Sequence, residues 1–155
     1  MLIRTRELHG LSGHAAGRQL LEEMYRSFTG RPMPPICVHE RGKPYFAEGD
    51  LHFSVSHTKR RVFCVLSTVP VGIDAEEVDR DIDLRLGEKI LSTAEKERFE
   101  KANDKRDALL RFWVLKEASA KLSGEGLRGY PNSTDFSPED PRIEVRDNCY
   151  VAVIT

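Results

Sequence analysis

Residues 62–76 read Val62-Phe63-Cys64-Val65-Leu66-Ser67-Thr68-Val69-Pro70-Val71-Gly72-Ile73-Asp74-Ala75-Glu76. Val62 to Thr68 is a nearly continuous apolar run of strand length, and Pro70 opens a second strand, Val71 to Glu76. Upstream, Leu51 to Ser56 alternates apolar and polar residues and reads as a strand. The basic turn Thr58-Lys59-Arg60-Arg61 separates it from the apolar run. Pro32 to Asp50 is a Pro- and Gly-punctuated connection holding one short strand, Ile36 to His39. Before it, Ser12 to Phe28 is a helix with Leu20, Leu21, Met24 and Phe28 as its apolar positions. Ser12 is its N-cap, and Gly30 with Pro32 stops it.

Downstream of Glu76 helices dominate. Leu84 to Leu91 is short, Ser92 to Lys101 follows, and Lys105 to Leu122 is the longest. Leu109, Phe112, Trp113, Leu115 and Ala120 give that last helix a broad apolar face, and Gly124 and Gly126 end it. The tail forms a hairpin, Arg142 to Val145 with Tyr150 to Ile154 across Arg146-Asp147-Asn148. A helix with strands, then helices with strands, points to an α+β fold rather than a regular βαβ wind. With 155 residues, no repeat and no linker composition, the chain reads as one compact unit.

Apolar residues make up 39% and charged residues 32%, the balance of a globular chain rather than a disordered one. Basic and acidic residues number 24 and 25, a net charge of −1, so no bulk field recruits nucleic acid or an anionic membrane. Any phosphate must then be held by a few placed groups and a metal. Met1 to His9 mixes Arg4, Arg6 and Glu7 into its apolar residues, unlike an export signal, and no apolar run is long enough to span a bilayer. Cys37, Cys64 and Cys149 are odd in number and widely spaced, which predicts reduced thiols in a cytoplasmic protein.

Four groups of residues carry chemistry. Asp74 and Glu76 share one face of their strand, about 7 Å apart, and two carboxylates there repel unless a proton or a hard cation such as Mg²⁺ intervenes. The competing reading is a solvated strand end beside the acidic run Glu77 to Asp83. Glu117 and Lys121, four apart on the long helix, are either a helix-stabilising pair worth about 0.2–0.5 kcal/mol or a third metal carboxylate with a phosphate-directed lysine. Ser56 and His57 at a strand end, with Lys43 upstream in Gly42-Lys43-Pro44, offer three phosphate-directed donors. Ser92-Thr93-Ala94-Glu95 fits a capping box, which accounts for Glu95 before any catalytic role does.

Taken in order, Gly42-Lys43-Pro44, Phe53-Ser54-Val55-Ser56-His57-Thr58, Val71-Gly72-Ile73-Asp74-Ala75-Glu76 and Trp113-Val114-Leu115-Lys116-Glu117-Ala118-Ser119-Ala120-Lys121-Leu122-Ser123-Gly124-Glu125-Gly126-Leu127 resemble the Sfp-type 4'-phosphopantetheinyl transferases. The resemblance implies transfer of 4'-phosphopantetheine from coenzyme A to a serine of an acyl or peptidyl carrier protein, with 3',5'-ADP leaving. It makes Asp74, Glu76 and Glu117 magnesium ligands and sets Lys121 beside the coenzyme A phosphates. Ser56 and His57 match contacts to the nucleotide phosphates, Lys43 the nucleotide pocket, and Arg18 an adenosine-side contact on the early helix. Glu117, with Glu95 as its competitor, is the general base, and Lys121 assists the phosphoryl step.

By the same resemblance the fold is two similar α+β halves packed as a pseudo-dimer, about 1–70 and 71–155, with coenzyme A in the cleft between them. A monomer follows, because one chain supplies both halves. The chain starts close to the early helix, ends soon after Tyr150, and has Thr58 where the family more often has serine. The first two departures bear on nucleotide affinity and carrier docking, and an inactive relative that binds coenzyme A or a carrier protein is the alternative. A metal-dependent phosphohydrolase would use the same carboxylates but leaves Lys43 and Ser56-His57 unexplained.

Overall fold

The computed structural model describes residues 1–124, 126 and 134–155. Glu125 and Leu127, the end of the long-helix motif, lie outside them. Strand β1 (Leu2–Glu7) leads into α1 (Gly13–Thr29), then β2 (Ile36–Val38), β3 (Pro44–Phe46), β4 (His52–His57) and β5 (Arg61–Ser67). Strand β6 (Gly72–Glu77) is followed by α2 (Leu86–Ile90), α3 (Thr93–Lys101), α4 (Lys105–Ser123), β7 (Ile143–Arg146) and β8 (Cys149–Ile154). The mixed α and β composition agrees with the sequence reading, and β1 and β3 are additions to it. The Arg-rich start becomes strand only because β5 pairs with it, Leu2 opposite Leu66 through Glu7 opposite Arg61. The three residues of β3 pair with β2, Pro44 taking the first position, where a missing N–H is tolerated.

Helix ends follow the sequence signals. Ser12 caps α1 by accepting from the Ala15 N–H, and Gly30 closes it at φ 71°. Asp104 caps α4 and Gly124 ends it at φ 74°. The β7–β8 hairpin turns on Asp147 and Asn148, with φ of 51° and 60°, the left-handed pair that a two-residue turn requires.

Two antiparallel three-stranded sheets result, ordered β1-β5-β4 and β6-β8-β7. In both, the strand before the helix pairs with the last strand, which lies in the middle. The apolar run of β5 is thereby explained, because both its faces are covered. Val62, Cys64 and Leu66 meet Leu20, Leu21 and Met24 of α1, while Phe63 and Val65 join Ile73, Ala75 and Val151 in a core between the sheets. Strand β8 divides likewise: Tyr150, Ala152 and Ile154 face α4, and Cys149 and Val151 face the shared core.

The sheets meet where β4 runs beside β6, in a seam made by side chains rather than a backbone ladder. Ser54 Oγ accepts from the Ile73 N–H at 3.1 Å, and Ser56 Oγ accepts from the Ala75 N–H at 3.2 Å. On its other side α4 lies so close to β6 that a Cβ on Gly72 would fall 2.0 Å from the Ala118 carbonyl oxygen. Glycine is required there by contact, not by its backbone angle. Among the described residues no helix is long and apolar enough to cross a membrane, and the three thiols are unpaired with one another.

Candidate active site

Strand alternation decides which way the acids of β6 point. Ile73 and Ala75 enter the shared core, so Asp74 and Glu76 face α4. Asp74 is 5% exposed, and its Oδ1 accepts from Lys121 Nζ at 2.7 Å and from Ser56 Oγ at 2.8 Å. Its Oδ2 is buried with no hydrogen-bond partner. Glu76 Oε1 accepts from the Trp113 indole N–H at 3.1 Å and is ion-paired with Arg80. Glu117 projects from α4, half-buried, four residues before Lys121.

The three acids feel one another. Burial, then the Asp74 charge, pushes the Glu76 carboxyl up to about 7, and the same two causes in the same order raise Glu117. Lys121 and Arg80 act against both shifts without cancelling them. As the side chains are placed, no three His, Cys, Asp or Glu among the described residues form a ready metal cage. The reason is local: Asp74 Oδ1 is taken by Lys121 and Ser56, and Glu76 Oε1 by Trp113 and Arg80. The donor set nonetheless fits a hard divalent cation. It consists of carboxylate oxygens, it leaves a buried Asp74 oxygen unpartnered, and its mutual repulsion is what such a cation relieves.

A cleft of about 250 Å³ opens beside these acids, between the β3–β4 segment and α4. Gly42, Lys43 and Ser54 line it from one side, and Glu117, Ala120 and Lys121 from the other. A larger cleft of about 800 Å³ continues past Lys43 to His39, Tyr45 and His52. Lys43 bridges the walls, its ammonium donating to the Leu122 carbonyl in the last turn of α4. Burial lowers the pKa of that lysine. The structure therefore gathers Lys43, Ser56, Asp74, Glu76, Glu117 and Lys121 at one inter-sheet region.

His57 stands at the exposed end of β4, its ring over the start of α1, where a Cβ on Gly13 would meet it at 2.3 Å. It lines a separate opening of about 650 Å³ with Glu76, Arg60 and Arg80. Arg18 lies on the exposed face of α1 and lines none of these clefts. Glu95 is withdrawn further: it is wholly buried and closes a complete capping box with Ser92. Its Oε1 accepts from the Phe136 N–H at 2.8 Å, and its Oε2 lies 2.7 Å from buried Lys116. With both oxygens engaged and no solvent exposure, Glu95 is an anchor in this structure, and the capping box expected from Ser92-Thr93-Ala94-Glu95 is present.

Three site residues escaped the sequence reading. Arg80 carried no motif, although its position four after Glu76 in an acidic run was a signal for an ion pair. Trp113 was read as apolar face rather than as a donor to Glu76. Ser54 was read only as a strand residue, and nothing local foretold its bond to Ile73.

The sequence profile of the 4'-phosphopantetheinyl transferase superfamily matches residues 70–150. The chain is 31% identical over 142 residues, 88% of its length, to 4'-phosphopantetheinyl transferase psf-1 of Bacillus pumilus. It is 34% identical over 95 residues, 59% of its length, to 4'-phosphopantetheinyl transferase Sfp of Bacillus subtilis strain 168. It is 33% identical over 91 residues, 57% of its length, to 4'-phosphopantetheinyl transferase gsp of Aneurinibacillus migulanus. These matches span 59%, 42% and 38% of the three relatives' own lengths.

Proposed function

Because the chain belongs to the 4'-phosphopantetheinyl transferase superfamily, we propose that it moves 4'-phosphopantetheine from coenzyme A to a serine hydroxyl of an acyl or peptidyl carrier protein. One observation carries the reading: Asp74, Glu76 and Glu117 share one electrostatic environment, with Lys121 on Asp74 and the Gly42-Lys43-Pro44 turn across the cleft. Those three carboxylates would hold a divalent ion, Mg²⁺, which would supply Lewis-acid neutralisation of phosphate charge.

The residues' own work follows from their positions. Lys121, half-buried at the mouth of the cleft, exchanges Asp74 for a phosphate oxygen and stabilises charge as it builds. Lys43 binds the nucleotide from the opposite wall. Ser56 orients Asp74 through its hydroxyl, and His57 contacts a nucleotide phosphate. The carrier serine oxygen bonds to the phosphorus bearing pantetheine, and the bond from that phosphorus to 3',5'-ADP breaks. The serine proton passes to Glu117, directly or through a water. In-line phosphoryl transfer rests on positioning and charge stabilisation, so no protein nucleophile is needed.

We also propose that the halves, about 1–70 and 71–155, form a pseudo-dimer within a monomeric chain; the matching strand orders β1-β5-β4 and β6-β8-β7 support this. The deciding experiment is intact-mass spectrometry of a panel of apo carrier proteins incubated with the protein, coenzyme A and Mg²⁺. A phosphopantetheine-sized gain, absent with EDTA and with Asp74→Ala, is expected. No gain on any carrier despite measured coenzyme A binding replaces the transferase reading with that of a binding module.

A further inference from the structure

The acids on β6 are quenched by two cations of different origin. Lys121 comes from α4 and faces the cleft that Glu117 lines. Arg80 comes from the turn after β6 and belongs to no motif. Its guanidinium pairs with Glu76 and lies 5.7 Å from the centre of the Trp113 ring, while the Trp113 indole N–H donates to the same Glu76 oxygen. Arg80 and Trp113 thus hold one carboxylate oxygen from two sides.

The backbone beneath Arg80 is engaged in hydrogen bonds while its side chain is partly open to solvent. The Arg80 N–H donates to the Glu77 carbonyl at 2.9 Å. The Arg106 guanidinium, from the first turn of α4, donates to the Val78 carbonyl at 2.7 Å and the Arg80 carbonyl at 3.3 Å. By contrast, the Arg80 side chain is 37% exposed and borders two openings, one shared with His57 and Arg60, the other with Asp83 and Lys89. Asp81, exposed, and Asp79, exposed and paired with Arg60 at 3.7 Å, flank it in sequence, so Asp81 offers a carboxylate to a guanidinium that has swung outward.

We infer that Arg80 is a displaceable latch: it holds the Glu76 carboxylate against Trp113 and must release it before Glu76 can ligate a divalent ion. This rests on the reading of Glu76 as a ligand. Arg80 then sets the affinity for the ion as a positioning residue, by competing for one oxygen rather than by touching substrate. Partly exposed ion pairs are weak, so the competition is modest and tunable. Trp113 reports the exchange, because it is the chain's single tryptophan and loses a stacked cation when the latch opens.

The test measures Mn²⁺ affinity from the free-ion electron paramagnetic resonance signal, without coenzyme A, and Trp113 emission during a separate Mg²⁺ titration at constant ionic strength. Arg80→Met is expected to bind Mn²⁺ about fivefold more tightly than wild type. Arg60→Met, which removes the same charge from the same opening, is expected to change affinity less than about twofold. Wild-type Trp113 emission should shift as Mg²⁺ binds, and the Arg80→Met emission should stay flat. Arg80→Gln substitutes if Arg80→Met melts early. Affinity unchanged or weakened in both Arg80 variants, or tightened equally in Arg60→Met, overturns the latch. Glu76→Gln separates the two layers. If it leaves Mn²⁺ affinity at the wild-type value, the ligand reading fails and the latch with it. If it weakens binding while the Arg80 variants do not tighten it, the latch alone fails.

Discussion

The two sheets share a strand order, yet their helices carry different loads. Helix α1 meets its sheet mainly with Ala16, Leu20, Leu21 and Met24, an apolar face whose charged contact is the partly exposed Arg6–Glu23 pair on edge strand β1. Helix α4 brings Lys116, Glu117 and Lys121 among its apolar residues, and each finds its charge answered nearby: Lys116 by Glu95, Lys121 by Asp74, and Glu117 by Lys121 and Arg80. A charged helix face is tolerated against a sheet only where the opposite elements supply counter-charges. The first half instead contributes neutral hydroxyls and the Lys43 ammonium at the seam. One strand order thus carries a largely apolar helix face in one sheet and a charge-bearing one in the other.

Breaking the charge-bearing side should give the largest effect. Asp74→Ala is expected to lower carrier modification by at least about a thousandfold. Its melting temperature should hold, since the substitution also removes a buried unpartnered oxygen. Intact-mass time courses and calorimetry read the two quantities together. Glu95→Gln should do the converse, costing about 3–5 kcal/mol by denaturant titration because Lys116 loses its buried partner. Turnover per folded molecule should stay near wild type, and a large loss there would return Glu95 to the chemistry.

The glycines sharpen the contrast between the helices. A Cβ on Gly72 would meet backbone, so Gly72→Ala must push α4 off β6, at about 2–3 kcal/mol with lost activity. A Cβ on Gly17 of α1 would meet the Val55 side chain at 2.8 Å, which can turn aside. Gly17→Ala is therefore expected to cost about 1 kcal/mol and leave turnover unchanged. Equal losses in the two variants would mean that both helices are equally constrained. Ser54→Ala should cost a similar amount, about 1 kcal/mol, by orphaning the Ile73 N–H; hydrogen exchange at that amide, faster in the variant, checks it.

Much of this was legible because it is local or periodic. The alternation of β6 put Asp74 and Glu76 on one face, and the Ser92-to-Glu95 spacing announced the capping box that is present. The apolar run of β5 announced burial, though not that it would sit in mid-sheet. Strand β1 was missed because its residues become strand only by pairing with β5, some sixty positions away. Contacts between separate elements likewise hid Lys43 on the end of α4, 79 positions on, and Ser56 on Asp74, 18 positions on. Gly72 was visible as a motif residue, but its reason is a backbone oxygen from Ala118, which no spacing rule contains.

The seam between β4 and β6 has a practical consequence. Its polar bonds run from backbone amides of β6 to serine hydroxyls of β4, so neither sheet lends a strand to the other. The connection that crosses it passes through exposed Val69 and Pro70. Cutting there leaves one fragment with β1, α1 and β2 to β5, and another with everything from β6 onward. Each keeps a whole sheet and its helix, and each carries half of one apolar face, Phe63 and Val65 against Ile73 and Val151. The chain is thereby suited to fragment complementation, with the two pieces fused to proteins whose meeting is to be detected and the repaired cleft as the signal.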